Sequence, residues 1–189
     1  MLRDLILKNR SYRRFRETEA ISRRLLEEWV DLGRLSASGA NKQPLKYALS
    51  ADPQTNALIF PHLAWAGYLK DWGGPAPGER PAAYIVLVND TEVASSCGCD
   101  HGIAAQSILL GAVEQGFGGC MIGSFSRAGI RQALKLDERY VPLLVLALGK
   151  PAERVQLEPV GPDGSIEYYR DAQDVHHVPK RALPDVICH

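Results

Sequence analysis

Apolar and polar positions recur along this chain at two periods, and the switches between them mark its elements. Leu2, Leu5 and Ile6 share one face of "MLRDLILKN", which predicts a short amphipathic helix. A loop carrying several arginines follows. Ile21, Leu25, Leu26, Trp29 and Val30 predict a second helix over residues 19–33, with Thr18 as its N-cap and an end near Gly33. "SASGANKQP" is small and polar, a loop by composition, and "KYALSA" is a short strand closed by the turn signal "DPQT". Part of the next stretch reads as a helix from Leu63 to Trp72, ahead of a Gly/Pro-rich loop. "AAYIVLVND" and "VPLLVLALGKP" are continuous apolar strands, buried on both faces. Between them Asp100, or the residues just before it, starts a long helix. The glycine-rich "GFGGCMIGSF" follows, then a helix capped by Ser126. After Pro151 the chain is polar and turn-rich, with little periodicity to bury it. An extended arm packed on another subunit is the expectation for residues 151–189. Strands and helices alternate without three consecutive parallel units. That predicts a single α+β domain over residues 1–189, a sheet wrapped by helices, rather than a doubly wound nucleotide fold.

Composition narrows the function classes. The 189 residues suffice for one domain with a real core, and 46% apolar with 23% charged is an ordinary globular balance. Lys plus Arg equals Asp plus Glu at 22 each, so no global field draws the chain to nucleic acid or membrane. No apolar run approaches the ~20 residues of a membrane span. The opening segment holds Asp4 and has no small-residue cleavage site, so it does not read as a signal peptide. Cys97, Cys99, Cys120 and Cys188 do not make a disulfide scaffold in a chain of this size, and a cytoplasmic location is expected.

The local charge is less even. "RSYRRFR" places Arg10, Arg13, Arg14 and Arg16 within residues 10–16. Two guanidiniums and the Ser11 hydroxyl just beyond a helix end suit a phosphate, since guanidinium forks onto its oxygens; a solvated basic turn is the plainer reading. Lys180 and Arg181 form a second basic pair near the other end. Neither segment carries the broad basic face or stacking aromatics of a nucleic-acid binder. No G-x-S-x-G elbow occurs, and none of the five histidines, His189 included, sits in a triad context. "CGCDH", Cys97 to His101, offers thiolates, a carboxylate and an imidazole to zinc. Its C-x-C spacing is cramped, however, and no second ligand pair follows, so no metal site is expected; Asp100 capping the next helix is the plainer reading. "GFGGCMIG" lacks the features of a P-loop or a dinucleotide fingerprint, but its glycines allow backbone to approach a flat ligand.

Four segments, in order, resemble the nitroreductase family of flavoproteins: "NRSYRRF", "SASGANKQPL", "DHGIAAQSILLGAVEQGFGGCMIGSF", and "VPLLVLALGKPAE" with "PKRALPDVI". The resemblance implies a central mixed sheet wrapped by helices, in a homodimer with exchanged C-terminal arms and FMN at the interface. Arg10, Ser11 and Arg13 would hold the FMN phosphate, helped by Lys180 and by Arg181 or Lys150. The loop Ser36, Ala37, Ser38, with Asn41 and Gln43, would face the isoalloxazine ring, partly from the partner subunit. Ile122, Gly123 and Ser124 would lie against the ring with a backbone N–H near flavin N5. Asn9, Ala37 and Leu45 stand where the family pattern has arginine, proline and tryptophan. Trp65, Tyr68 and Trp72 are candidates for the roof of the substrate pocket, or ordinary core aromatics. The implied chemistry is ping-pong transfer of hydride from NADH or NADPH through the flavin to a small aromatic, nitro, quinone or conjugated acceptor, with no catalytic side chain of the protein's own. The rivals are a flavin-storage protein, a flavin enzyme of dehalogenation or flavin breakdown, and a zinc-binding interaction module at Cys97–His101.

Overall fold

The strand at the centre of the fold, β2 (Ala83–Asp90), is buried along its whole length, as its unbroken apolar run requires. The computed structural model describes residues 1–188; His189 lies outside them. β2 pairs antiparallel with β1 (Leu45–Ser50) on one side and β4 (Tyr140–Gly149) on the other, and β3 (Gly118–Ile122) closes the far edge, in the order β1-β2-β4-β3. All three pairings are antiparallel. A parallel contact enters at the outer edge, where Ser11 bridges Gly119, and that makes the sheet mixed.

Alternation along β2 sends Ile85 and Leu87 to one face and Tyr84, Val86 and Val88 to the other. Helices α2 (Arg23–Leu35) and α4 (Asp100–Glu114) cover the first face with Leu26, Trp29, Ala105 and Ile108. The second is closed by α3 (Pro53–Ile59) and α5 (Arg127–Leu134), through Ile59 and Ile130. Each large apolar side chain fully buried in these layers contributes about 1.5–3 kcal/mol. The short α1 (Leu2–Lys8) packs on α4 but buries none of its own residues.

Three local expectations are corrected. α2 starts at Arg23, because the Ser22 hydroxyl, not Thr18, accepts from the third amide of the helix, Leu25 N, at 3.2 Å. It runs past Gly33, whose missing side chain admits Ile108 of α4; a Cβ there would lie 3.1 Å from that residue's Cδ1. The helix expected over Leu63 to Trp72 is absent. "DPQT" is the start of α3, with Asp52 as N-cap to Thr55 N at 2.8 Å and Pro53 in the first turn. A 3₁₀ turn over Phe60–His62 then leads into irregular chain.

Beyond Pro151 the chain is more ordered than its composition implies. β5 (Val155–Pro159) and β7 (His176–Lys180) pair in parallel, and β6 (Tyr169–Arg170) joins β7 antiparallel, giving a second sheet. Its anchor is ionic rather than apolar. Glu153, with 1% of its side chain exposed, binds Arg170 at 2.9 Å.

Candidate cofactor site

Residues 11–16 run extended along the outer edge of β3. Tyr12 N donates to Gly119 O at 3.1 Å, Arg16 N to Lys150 O at 2.8 Å, and Ala152 N returns to Arg14 O at 3.0 Å. Gly118 is what lets the segment lie so close, since a Cβ there would meet the Tyr12 ring at 2.6 Å. The Glu153 carboxylate then collects the backbone N–H groups of both Arg13 and Arg14, the second at 3.1 Å. The backbone is pinned, and what remains variable is where the arginine side chains go.

They divide into two pairs. Arg14 is bound by Glu79 and Asp174, and Arg16 by Glu19 at 3.0 Å. Among the described residues, the guanidiniums of Arg10 and Arg13 meet no carboxylate. Arg10 donates to Ile6 O at 2.6 Å, its Nε is buried with no partner, and partial burial pulls its pKa below the ordinary arginine value. Arg13 reaches Ser11 O at 3.3 Å and His176 Nε2 at 3.2 Å, with its guanidinium 4.8 Å over the Tyr168 ring. Two half-buried cations that meet no carboxylate among the described residues, on either side of a serine, have the chemistry to hold an anion. Beside them the Cys120 thiol is pushed up by burial and stays protonated.

Lys180 and Arg181 are exposed. Lys180 lies at the far end of β7 from His176, about 13 Å along the strand, so it does not close on Arg13 within this chain. Lys150 stands over the Phe117 ring, 5.4 Å from its centroid.

The loop of residues 36–43 is built around a different carboxylate. Asp100, buried at the start of α4, accepts from Ser38 Oγ at 2.7 Å and from Gly39 N at 3.0 Å. Those two bonds hold Asp100 below its usual pKa. It therefore ties a neighbouring loop and is not the cap of its own helix, where Cys99 takes that position. Ser36 Oγ donates to Leu32 O or Ser107 Oγ, at 2.9 and 2.7 Å. Ala40, Asn41 and Gln43 all have φ between 51° and 54°, a strained run for residues with side chains. The loop borders a cavity of about 320 Å³ lined by Ser36, Ala37, Ser38, Gln43, Tyr47 and Asp100. Arg10, Ser11 and Arg13 do not line it.

Ile122 is buried at the end of β3, whereas a Cβ on Gly123 would meet nothing within 4 Å. Ser124 O accepts from Ala64 N at 3.0 Å, and Phe125 bridges Leu63. That stitch brings the three aromatics onto the same side of the molecule as the arginines. Trp65 meets Trp72 edge-on with centroids 6.5 Å apart, Trp72 lies under Arg170 at 4.4 Å, and Tyr68 packs on Tyr168 at 4.9 Å. Tyr168 in turn carries Arg13 and touches His176 at 5.2 Å. Glu153, Tyr168, Arg170 and His176 were not expected from the sequence; their only signal was a dense run of aromatic, basic and acidic residues in a tail with no periodicity.

At "CGCDH", Cys97 Sγ lies 3.5 Å from His101 Nδ1, and both Asp100 oxygens are spent on the 38–39 loop. Among the described residues no three His, Cys, Asp or Glu groups converge on a metal position.

Residues 80–150, from the approach to β2 to the end of β4, match the model of the nitroreductase family. YodC of Bacillus subtilis (strain 168), assigned by name to the NAD(P)H nitroreductases, is 31% identical over 93 residues. That alignment spans 49% of this chain and 45% of YodC, so the chain is matched over about half of its relative's length. A nitroreductase family protein from Streptococcus pneumoniae TIGR4 superposes over 100% of both chains with a TM-score of 0.72 at 17% identity. The fold is that of the nitroreductase family. The NADPH:FMN oxidoreductase of Vibrio harveyi, solved with NAD+, shares this nitroreductase fold at a TM-score of 0.64 and 24% identity, over 85% of this chain and 73% of that one. The resemblance to the nitroreductase family and the α+β fold are borne out. The family-matched stretch contains β3 but leaves out the arginine segment, the 36–43 loop and the C-terminal sheet.

Proposed function

We propose that this chain is an FMN-dependent oxidoreductase that takes hydride from NADH or NADPH and delivers it to a small oxidised acceptor. The observation that carries the reading is the pair of cations on the β3 edge: of the four arginines in residues 10–16, Arg10 and Arg13 alone meet no carboxylate among the described residues. The residues present fit the cofactor. The buried, partnerless Nε of Arg10 and the Arg13 guanidinium suit a phosphate, and the open space at Gly123 leaves room for a flat ring against backbone. The names of the relatives, an NAD(P)H nitroreductase and an NADPH:FMN oxidoreductase, support the same pairing of cofactor and reductant.

When bound, FMN supplies the two-electron chemistry. The chain's own part is binding and orientation. Arg10, Ser11 and Arg13 hold the phosphate, and the backbone of Ile122, Gly123 and Ser124 lines the ring. Trp65, Tyr68 and Trp72 bound the space above it, where reductant and acceptor bind in turn. Lys180 and Arg181 add positive charge at the site's margin.

The site is completed by a second copy. Its Ser36–Ser38 loop, with Asn41 and Gln43, faces the ring from across a dimer interface; within one chain the cavity that this loop borders is lined by none of Arg10, Ser11 and Arg13. Leu2, Ile6 and Leu7 of α1, Leu32 and Leu35 of α2 and Ile103 of α4 leave an apolar surface exposed that association would cover. Leu183, Val186 and Ile187, also exposed, give the tail beyond β7 an apolar edge with which to reach over the partner.

The test uses the purified full chain. Yellow protein with the absorption bands of oxidised flavin, bleached by NADH or NADPH without oxygen, is the expected result. Colourless protein that takes up no added FMN overturns the reading. Flavin that neither nicotinamide reduces assigns the chain to flavin storage. Turnover with nitroaromatics, quinones and enoates then ranks the acceptors.

A further inference from the structure

A guanidinium has five N–H bonds, and how many are already spent decides what it can offer a ligand. In Arg13 both N–H bonds of Nη1 have acceptors, Ser11 O at 3.3 Å and His176 Nε2 at 3.2 Å. Tyr168 covers one face of the group. Among the described residues no oxygen or nitrogen acceptor takes the edge formed by Nε and Nη2, which is the edge that forks onto two oxygens of one anion; the buried Cys120 thiol is the other neighbour of the Arg13 side chain.

His176 is an unusual choice for its position. Only 1% of it is exposed, and it packs against Tyr168 at the start of β7. A ring nitrogen facing an arginine has to accept, so the imidazole is neutral with its proton on Nδ1. That Nδ1 is buried without a partner. Packing alone would be served better by an apolar ring, which carries no unsatisfied donor. Burial and the nearby Arg13 charge hold the His176 pKa down at about 4, so the accepting form persists at neutral pH.

We propose that His176 is the positioning residue of Arg13: its Nε2 fixes the guanidinium so that the Nε–Nη2 edge is presented to the phosphate of the bound flavin. The inference rests on the phosphate clasp described above and adds a residue from the C-terminal sheet that touches neither ring nor phosphate. The backbone of Arg13 is held from the same direction by Glu153, which Arg170 neutralises. The sheet beyond Pro151 thus shapes the anion site from behind.

The readout is the preference for FMN over riboflavin, which differ only in the phosphate, from flavin-fluorescence titrations of full-length apoprotein. Loss of fold or of the ring slot lowers both affinities, whereas a misdirected Arg13 lowers the preference alone. His176→Phe, which keeps a ring against Tyr168 and removes the acceptor, is expected to reduce the preference about tenfold. His176→Gln returns an acceptor near the Nε2 position and is expected to restore most of it. Should His176→Phe not fold, His176→Asn carries the same test, since its amide oxygen falls short of Arg13. In an Arg13→Ala background His176→Phe is expected to change the preference no further. An unchanged preference in His176→Phe or His176→Asn, or an equal loss with and without Arg13, overturns the proposal. Equal affinity of the unmodified chain for FMN and riboflavin would instead remove the phosphate clasp on which it rests.

Discussion

The arginine segment and the 36–43 loop are built on one plan with different materials. Each is a non-repetitive stretch whose backbone is tied down by a single buried carboxylate: Glu153 collects Arg13 N and Arg14 N, and Asp100 collects Gly39 N and the Ser38 hydroxyl. Asp100 does this with neutral donors alone. Glu153 also carries a cation, Arg170, itself only 11% exposed. A carboxylate held by neutral donors can be exchanged for an amide at modest cost; one that neutralises a buried guanidinium cannot. The segment proposed to meet a dianion is thus the one supported by the more rigid and more costly device.

Removing Glu153 is the hardest test of that contrast. Glu153→Leu takes away the close, buried partner of Arg170 and leaves it only the exposed Asp174 at 4.0 Å; it is expected to cost about 3–5 kcal/mol in denaturant unfolding, with FMN lost as well. Next comes Arg10→Ala with Arg13→Ala, which touches no ion pair. It is expected to weaken FMN about 100-fold in equilibrium titration while the unfolding midpoint stays near that of the parent chain. Asp100→Asn should cost about 1–3 kcal/mol in the same unfolding assay. It should also raise hydrogen exchange at Gly39 and Gln43, whose N–H groups are held by Asp100 and by Ser38, and leave the phosphate affinity alone.

The smallest expected effects are in pH. Asp100 has a folded pKa below its ordinary 3.8, so its contribution is complete above that value and lost as pH falls through the depressed one. His176 is lowered from 6.5 to about 4, so the unfolded chain binds the extra proton and stability declines as pH falls from 6.5 toward 4. Arg13, Glu153, Arg170 and His177 are the charged or titratable groups around it. His177, between Glu158 at 2.8 Å and Asp171 at 2.9 Å, is raised above 6.5. Its contribution is full below 6.5 and lost as pH rises through the raised value. Unfolding measured across pH should therefore show adjacent histidines pulling in opposite directions about pH 6.5, and His176→Gln should flatten the acid limb alone.

The central sheet was readable because its signal is local. Ile85, Leu87 and their alternating neighbours state a buried strand by themselves, and Ser126 states a cap, accepting from Gly129 N at 3.1 Å as expected. The division of the arginines was not readable in the same way. Glu19, which takes Arg16, is only three residues on, but nothing near Arg14 distinguishes it from Arg10 and Arg13; Glu79 and Asp174, which settle its role, lie far off in sequence. The second sheet was missed for a related reason. Its stability comes from one buried ion pair and from ring-on-guanidinium contacts such as Trp72 under Arg170, which leave no hydrophobic period to find. The segment from Leu63 to Trp72 reads as helix and is not one, because aromatics at helical spacing look alike whether they face a core or a cleft.

The separation between Arg13 and the groups that hold it also sets an order of events in synthesis. Glu153 is 140 residues downstream and His176 is 163, so each contact closes a loop spanning most of the chain. A chain emerging from its N-terminus can complete the central sheet once β4 has appeared, yet its phosphate clasp stays unformed until the last elements arrive. If the proposed clasp holds the cofactor, its capture waits for β7. A chain cut short before His176 would hold every strand of the central sheet and lack the acceptor proposed to orient Arg13.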